Sequence, residues 1–392
     1  MSTQLAAAPG RRPGRWLRND MAEALKTFFS PALVRRLAQS IADASPSFPS
    51  RRFVRRASQG LEQLELLERG RHITAALHAS LPPSYPEAIE ILLRSLGPEH
   101  AAQELVGAGM GPFFYLPHTL FVAAHGLEHF ELSLRAQYEL TKRFTAEGSI
   151  RAYIARDPQR TFRTLRSWAE DADAHVRRLV SEGTRLRLPW AVRVAWLDAN
   201  PERVLELLEL LKDDPTTLVR RSVANNLNDL AKVHPELAVG VCRRWSTPAS
   251  PQRQWLVKHA LRSLLKRGNH AALATLGVGA PPAVRVSRAK LEPRRVKLGG
   301  KLRFSFELAS TAAAAQQLLV DYAVHFVKAN GAARPKVFKL RRLQLDASAR
   351  LELAGSVSFE DLTTRRHYPG RHRIEVLVNG VSYPLAEFEV CA

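Results

Sequence analysis

The hydrophobic period of this chain changes once, near residue 280, and that change limits the folds open to it. From Asp20 to about residue 276 apolar residues recur every three or four positions, as in A-L-K-T-F-F-S-P-A-L-V-R-R-L and P-E-A-I-E-I-L-L-R-S-L-G. That is the spacing of one buried helix face. Breaks at Pro46, Pro49, Pro82, Pro83, Gly97-Pro98 and Gly111-Pro112 predict short helices joined by turns. Beyond 280, K-L-R-F-S-F-E-L, L-L-V-D-Y-A-V-H-F-V and H-R-I-E-V-L-V-N-G-V-S-Y-P-L alternate at period two, with turn signals at Pro369-Gly370 and Asn379-Gly380. About seven short strands in roughly 110 residues predict an immunoglobulin-like sandwich without its disulfide. The expected fold is a mainly α N-terminal HEAT-like helical-repeat solenoid over 21–280, followed by a C-terminal all-β immunoglobulin-like sandwich over 281–392. Residues 1–20, rich in Ala, Pro, Gly and Arg, read as a disordered basic arm.

Within the helical region a short phrase occurs three times: K-R-F-T-A-E at 142–147, R-R-L-V-S-E at 177–182 and R-R-S-V-A-N at 220–225. Arg143, Arg178 and Arg221 each precede a Glu or Asn (Glu147, Glu182, Asn225) by four positions, the spacing that places two side chains on one helix face. The copies lie 35 and 43 residues apart (182 − 147 and 225 − 182), a period of stacked helical repeats. Stacking aligns the phrases along one surface, where cations with acids among them suit a polyanion carrying one cationic, reactive spot. The alternative is structural: the arginines are solvated or bridge to Asp171 and Asp213 in the turns, and Glu147 and Glu182 merely pair with Arg143 and Arg178.

Charge narrows the partner. The chain carries a net +21 in 392 residues, which attracts nucleic acid or an anionic membrane. No apolar run approaches the ~18 residues that span a bilayer, and the first 20 residues, with Arg11, Arg12, Arg15 and Arg18, lack the apolar centre of a secretory signal. Nucleic acid is therefore the favoured partner, in the cytoplasm and on the nucleoid. From Pro281 onward there are 19 Lys and Arg against 10 Asp and Glu, so the strand-rich region is itself basic (19 − 10 = +9). Arg294, Arg295, Lys297 and Lys301 flank Gly299-Gly300 as a candidate phosphate-contacting loop, with a passive basic domain as the alternative.

Two motifs point nowhere. Cys242 and Cys391 make neither a disulfide framework nor a zinc site. H-G-L-E-H at 125–129 matches the inverted zinc-peptidase pattern, with His125 and His129 four apart on a predicted helix, but Gly126 weakens that helix and surface or inter-helix histidines are the preferred reading.

The segments F-F-S-P-A-L-V-R-R-L (28–37), G-P-F-F-Y-L-P-H (111–118), Q-Y-E-L-T-K-R-F-T-A-E (137–147), H-V-R-R-L-V-S-E-G-T-R-L-R-L-P-W (175–190) and L-V-R-R-S-V-A-N-N-L-N-D-L (218–230) resemble the AlkC-type DNA alkylation repair proteins, HEAT-like DNA glycosylases related to the AlkD type. The resemblance spans roughly 21–280, and the strand-rich end is similar to the immunoglobulin-like domain of one AlkC branch. It implies hydrolysis of the N-glycosidic bond of cationic bases such as 3-methyladenine and 3-methylcytosine in double-stranded DNA. It also implies that the base is not flipped into a pocket and that no metal or cofactor is needed. It carries the catalytic acids and aromatic onto Glu147, Glu182, Asp229 and Trp190.

The chemistry accords with those residue types. Alkylation makes the base its own leaving group, so what remains is to stabilise an oxocarbenium-like sugar and to place a water, and carboxylates do both. Asp229 shares a helix face with Asn225, and Trp190 suits a deoxyribose or a cationic base. Arg143, Arg177, Arg178, Arg220, Arg221 and Lys258 are the expected phosphate contacts of the helical region. No lysine is singled out as a Schiff-base nucleophile, which favours a monofunctional glycosylase, and a monomer is expected. A non-catalytic nucleic-acid scaffold and an adaptor for an acidic protein are the competing readings.

Overall fold

A computed structural model of the protein describes residues 26–100, 111–278, 280–361 and 366–392. The arm expected at 1–20 lies outside them.

Helices run from Pro31 to Thr275 and strands from Val284 to Cys391. A proline in the first turn marks one helix after another, at Pro31, Pro158, Pro201, Pro235 and Pro251. There its missing N–H is no loss and its fixed φ suits the helix. Side chains of Ser30, Asp157, Asp173, Ser250 and Asn269 accept from the exposed N–H groups of the turns they open. Helix pairs repeat: Pro158–Trp168 leads to Ala174–Gly183, Pro201–Leu211 to Thr217–Val233, and Pro235–Trp245 to Pro251–Ala260. The second members pack on one another in that order, over a continuous core from Phe29 to Val278.

One device fixes the turn in two of these repeats. Arg177 Nη1 donates to the main-chain oxygens of Asp171 and Ala172 (2.8 and 2.9 Å), and Arg220 Nη1 donates to those of Asp214 and Pro215. Asp171 and Asp214 in turn accept from the N–H groups of Asp173 and Thr216 (both 2.7 Å). Arg177 also donates from Nε to Oδ2 of Asp214 (2.6 Å), joining successive turns.

Two expectations are corrected here. Residues 142–147 are not helical: the helix Phe130–Thr141 ends at Lys142, and Glu147 lies in the turn before Ile150–Arg156. Arg143 therefore pairs backward with Glu139 (2.9 Å), not forward with Glu147. His125 and His129 also belong to two helices, since Leu116–His125 ends before Gly126 and His129 precedes Phe130–Thr141. His125 stacks on His78 (3.9 Å) and His129 on Tyr85 (5.2 Å).

The strands form two sheets, β1(Val284–Glu292)-β3(Lys301–Ser310)-β6(Arg350–Ser358) and β2(Arg295–Lys297)-β8(Val381–Cys391)-β7(Gly370–Val378)-β4(Gln316–Val327)-β5(Ala333–Leu345). The short β2, parallel to β8, is one strand more than the alternation predicts. Leu318, Val320, Tyr322, Val324 and Phe326 of β4 face the sandwich core. Leu319, between them, packs against the helical core instead. Asn379 and Gly380 make the β7–β8 turn with φ of 46° and 81°, both left-handed. The Asn379 side chain accepts from Leu319 N (2.8 Å) and donates to the oxygen of Ala280 (3.2 Å). Beside it Gly380 meets Gly268 so closely that a Cβ on Gly380 would lie 2.6 Å from the Gly268 Cα.

Candidate active site

Glu182 lies in the last turn of the helix Ala174–Gly183, and Asp229 in the last turns of Thr217–Val233. The buried amide of Asn226 joins these helices, donating to Ser181 O (2.8 Å) and Thr184 Oγ1 (3.1 Å). The acids are then tied by a residue the sequence reading passes over. Arg185 donates from Nη1 to Glu182 Oε2 (2.9 Å) and from Nε to Asp229 Oδ2 (2.8 Å). Lys232 takes the other oxygen, Oδ1 of Asp229, at 2.8 Å. On the near side Arg178 Nη2 donates to Glu147 Oε2 (2.8 Å) and stands 4.0 Å from Glu182 Oε1. Thr145 Oγ1 also donates to Glu147 Oε2, at 2.8 Å.

The result is one alternating row: Glu147, Arg178, Glu182, Arg185, Asp229, Lys232. Three acids against three cations leave it neutral within a chain of net +21. Burial works against the charges of Arg178 and Arg185. The flanking acids outweigh it and hold both above the ordinary arginine range. The carboxylates differ in what they leave open. Both oxygens of Asp229 are engaged, and the residue is 1% exposed. Glu182, 6% exposed, uses only Oε2 in a hydrogen bond, and Oε1 is left for a further donor.

Trp190 stands apart from the core. It is 62% exposed, next to exposed Val192, and its φ is 62°. A left-handed backbone is uncommon for a bulky residue and persists only where the surroundings impose it. Here Arg151 ties down the loop on either side of Trp190. This fully buried guanidinium donates to the main-chain oxygens of Gly183 (3.0 Å), Arg185 (2.8 Å) and Val192 (2.8 Å), holding the loop at three points. Burial pushes Arg151 down to about 10, with Asp198 opposing, so it stays charged at neutral pH. Neither Arg151 nor Arg185 belongs to the repeated phrase, and no spacing rule in the sequence marks them.

The predicted phosphate contacts divide. Arg143 is mostly enclosed, donating to Gly97 O (2.7 Å) and to Glu139. Arg177 and Arg220 are occupied in the turns. Arg178 belongs to the row. Arg221 is exposed on the helix that carries Asp229. It lies near His259, whose ring burial, Arg262, Arg221 and Lys339 together push down to about 4. The neutral His259 donates from Nε2 to Asn225 Oδ1 (3.2 Å), which also accepts from Arg262 (3.0 Å). Lys258 is exposed and lowered by burial and by Lys339 and Arg342, so basic groups of the last helices and of β5 face each other.

Arg294, Arg295, Lys297 and Lys301 are placed elsewhere. Lys301 pairs with Ser358, whereas Ser310, at the other end of β3, lies beside Ala349 and near Ala283 at the helical junction. A ten-residue strand spans about 33 Å, so this loop occupies the end of the sandwich away from the acid row. The opposite half of β5 meets the last helices instead, with Lys339, Arg341 and Arg342 beside Lys258 and Arg262. Among the described residues no cluster of three or more His, Cys, Asp or Glu could hold a metal, and no helix is long and apolar enough to cross a membrane.

Three similarities to known proteins bear on this site. A family model described as the C-terminal Ig-like domain of the uncharacterised protein YhaZ matches residues 285–392. The uncharacterized protein YhaZ of Bacillus subtilis (strain 168) is 35% identical over 368 residues, 94% of this chain and 99% of that protein. The structure of the Pseudomonas fluorescens alkylpurine DNA glycosylase AlkC, bound to DNA containing an abasic site analog, superposes with a TM-score of 0.86 at 38% identity, covering 94% of this chain and 99% of that one.

Proposed function

The chain belongs to the AlkC family of DNA glycosylases, and on that footing we propose how its own residues cut the N-glycosidic bond of an alkylated base in double-stranded DNA. The substrates are cationic bases of the 3-methyladenine and 3-methylcytosine type, taken without flipping into a pocket, by a monomer acting in the cytoplasm on the nucleoid. Residues 21–280 form the glycosylase domain and 281–392 an immunoglobulin-like domain that grips the same duplex.

The observation that carries the mechanism is the neutral row, whose Arg185 opens the loop that exposes Trp190. Elsewhere the basic surface attracts phosphate and repels a cation. At the row three acids cancel three bases, so a cationic nucleoside approaches without that repulsion. Methylation has already prepared the leaving group, so no proton need be delivered to it. As the bond breaks, positive charge builds on the sugar. Asp229, pinned by Arg185 and Lys232, is a fixed negative charge that needs no reorganisation. Glu182 has Oε1 free to hold a water on the sugar, and Glu147 supports it through their shared Arg178. Trp190 lies along the deoxyribose or the base. Arg178, Arg221, Lys258, Lys339 and Arg342 hold phosphates, with Arg294, Arg295, Lys297 and Lys301 engaging a more distant stretch of backbone.

Release of free methylated base from alkylated duplex DNA tests this reading. Steady release under single-turnover conditions, with salt-dependent binding, is expected. DNA binding without release overturns it in favour of a scaffold.

A further inference from the structure

A cavity of about 210 Å³ lies between the last helices and strands β4 and β5, and the row of acids takes no part in it. Leu265 and Leu276 wall it from the helical side and Leu319 and Leu340 from the sandwich side. Its cations include Lys258 and Lys266 from the helices and Lys339 and Arg342 from β5, and its one acid is Asp321.

Asp321 is unexpected there. The period of β4 sends Val320 and Tyr322 into the sandwich core and sets Leu319 and Asp321 on the opposite face, which the helical domain covers. An irregularity in the β4–β5 pairing leaves Leu340 extra and brings Asp321 opposite Lys339, and bulges of this kind re-aim side chains. Asp321 is 6% exposed and its Oδ1 accepts no hydrogen bond. An orphaned buried carboxylate oxygen is costly, and a leucine would suit that face better. Burial pushes the carboxyl up to about 6 while Lys339 and Lys266 pull it back, so it is an ionised acceptor at neutral pH. Close by, the half-exposed Trp255 stacks on His259 at 5.1 Å, in a second pocket that shares Lys258, Leu276 and Arg342 with the first.

We propose that this interdomain cavity is a nucleotide-binding site, separate from the acid row, in which a base enters between Leu276 and Leu319 with an N–H edge on Asp321 while its phosphate stays at the rim with Lys258, Lys339 and Arg342. Each group answers a different feature of the ligand. Apolar walls take a flat ring. A carboxylate accepts from ring and exocyclic N–H donors and rejects groups that offer only oxygen. The cations take the phosphate. The size agrees: an apolar cavity of about 150 Å³ admits benzene, so this one admits a single base and leaves sugar and phosphate outside. The site holds whether or not the acid row is catalytic, and its test reads no catalysis.

The full-length protein is titrated calorimetrically with dAMP, dGMP, dCMP and dTMP and, as a control without a base, with inorganic phosphate. At least one mononucleotide is expected to bind tenfold or more tighter than phosphate. Asp321→Asn should then weaken that nucleotide about tenfold while phosphate binding holds or tightens, because a negative charge has left a cationic rim. A merely structural Asp321 would not split the two ligands. Leu276→Trp, which fills the cavity, should abolish nucleotide binding and leave phosphate binding in place. Thermal melts above the titration temperature establish that both variants are folded. The proposal is overturned if no mononucleotide binds better than phosphate, or if the preferred one binds the two variants as it binds the wild type. The duplex affinity of Leu276→Trp identifies the source: a loss means a nucleotide of bound DNA, and no change a free one.

Discussion

The guanidinium of Arg151 donates to the main-chain oxygen of Val192 at 2.8 Å, so a buried helix residue holds an exposed loop two residues beyond Trp190. Its other two acceptors, Gly183 O and Arg185 O, lie at the start of the same loop. One side chain thereby sets the positions of both Trp190 and Arg185.

Arg151→Lys keeps the charge but cannot reach three carbonyls from one nitrogen. Base release is expected to fall about 10²-fold, the scale of a 1 Å misplacement, while duplex binding changes little. Single-turnover release and a binding titration on the same preparation check this. Equal loss of binding and release, or no loss of either, counts against a positioning role.

Glu182→Gln and Asp229→Asn remove charge with little change of shape. Each should slow release of 3-methyladenine by about 10²–10³. DNA affinity should hold or rise, since a negative charge leaves a phosphate-facing surface. Asp229→Asn should also lower the melting temperature more than Glu182→Gln, because it strips a carboxylate from both Arg185 and Lys232. Near-wild-type release by both folded variants would remove these acids from the mechanism.

Arg177 and Arg221 should separate stability from binding. Arg177→Ala leaves Asp214, 7% exposed, without its ion pair, and is expected to destabilise by about 3–5 kcal/mol. Its DNA affinity, measured below the melting temperature, should be unchanged. Arg221→Ala should melt normally and bind duplexes of any sequence more weakly, with a shallower salt dependence.

Asp321 should leave a mark on pH dependence. Its carboxyl titrates at about 6 when folded against 3.8 when unfolded. Its contribution is thus fully present below 3.8 and is lost as pH rises through about 6, the reverse of a salt-bridged acid. Against the lysines and arginines that line its cavity, Asp321→Asn should be more stable than wild type by about 2–3 kcal/mol at pH 8, and the two should converge below about pH 4. Chemical denaturation of both proteins across that range reads the difference, and parallel curves would contradict it.

The sequence carries the architecture in its periods. The described residues of the helical and strand-rich regions bury apolar side chains at helical and strand spacing, and local spacing suffices to see that. Asn379-Gly380 is legible because a two-residue turn of left-handed conformation admits few other pairs. The repeated phrase locates Glu147, Glu182 and Asn225 but misassigns 142–147 to a helix, since a turn carries the same letters. Arg185 and Arg151 escape because their partners are distant in sequence or are main-chain oxygens, which no residue pattern records. The basic β5 is overshadowed by a glycine pair, although strand register, not composition, decides which end of the sandwich meets the helices.

The contact of Gly268 with Gly380 acts as a calliper. Two backbones with positive φ touch where neither carries a side chain, so at this point the two halves are set apart by hydrogen atoms. A single methyl at Gly380 would be a shim. It would leave each core intact and turn one jaw relative to the other, altering the span of phosphates that both can hold at once.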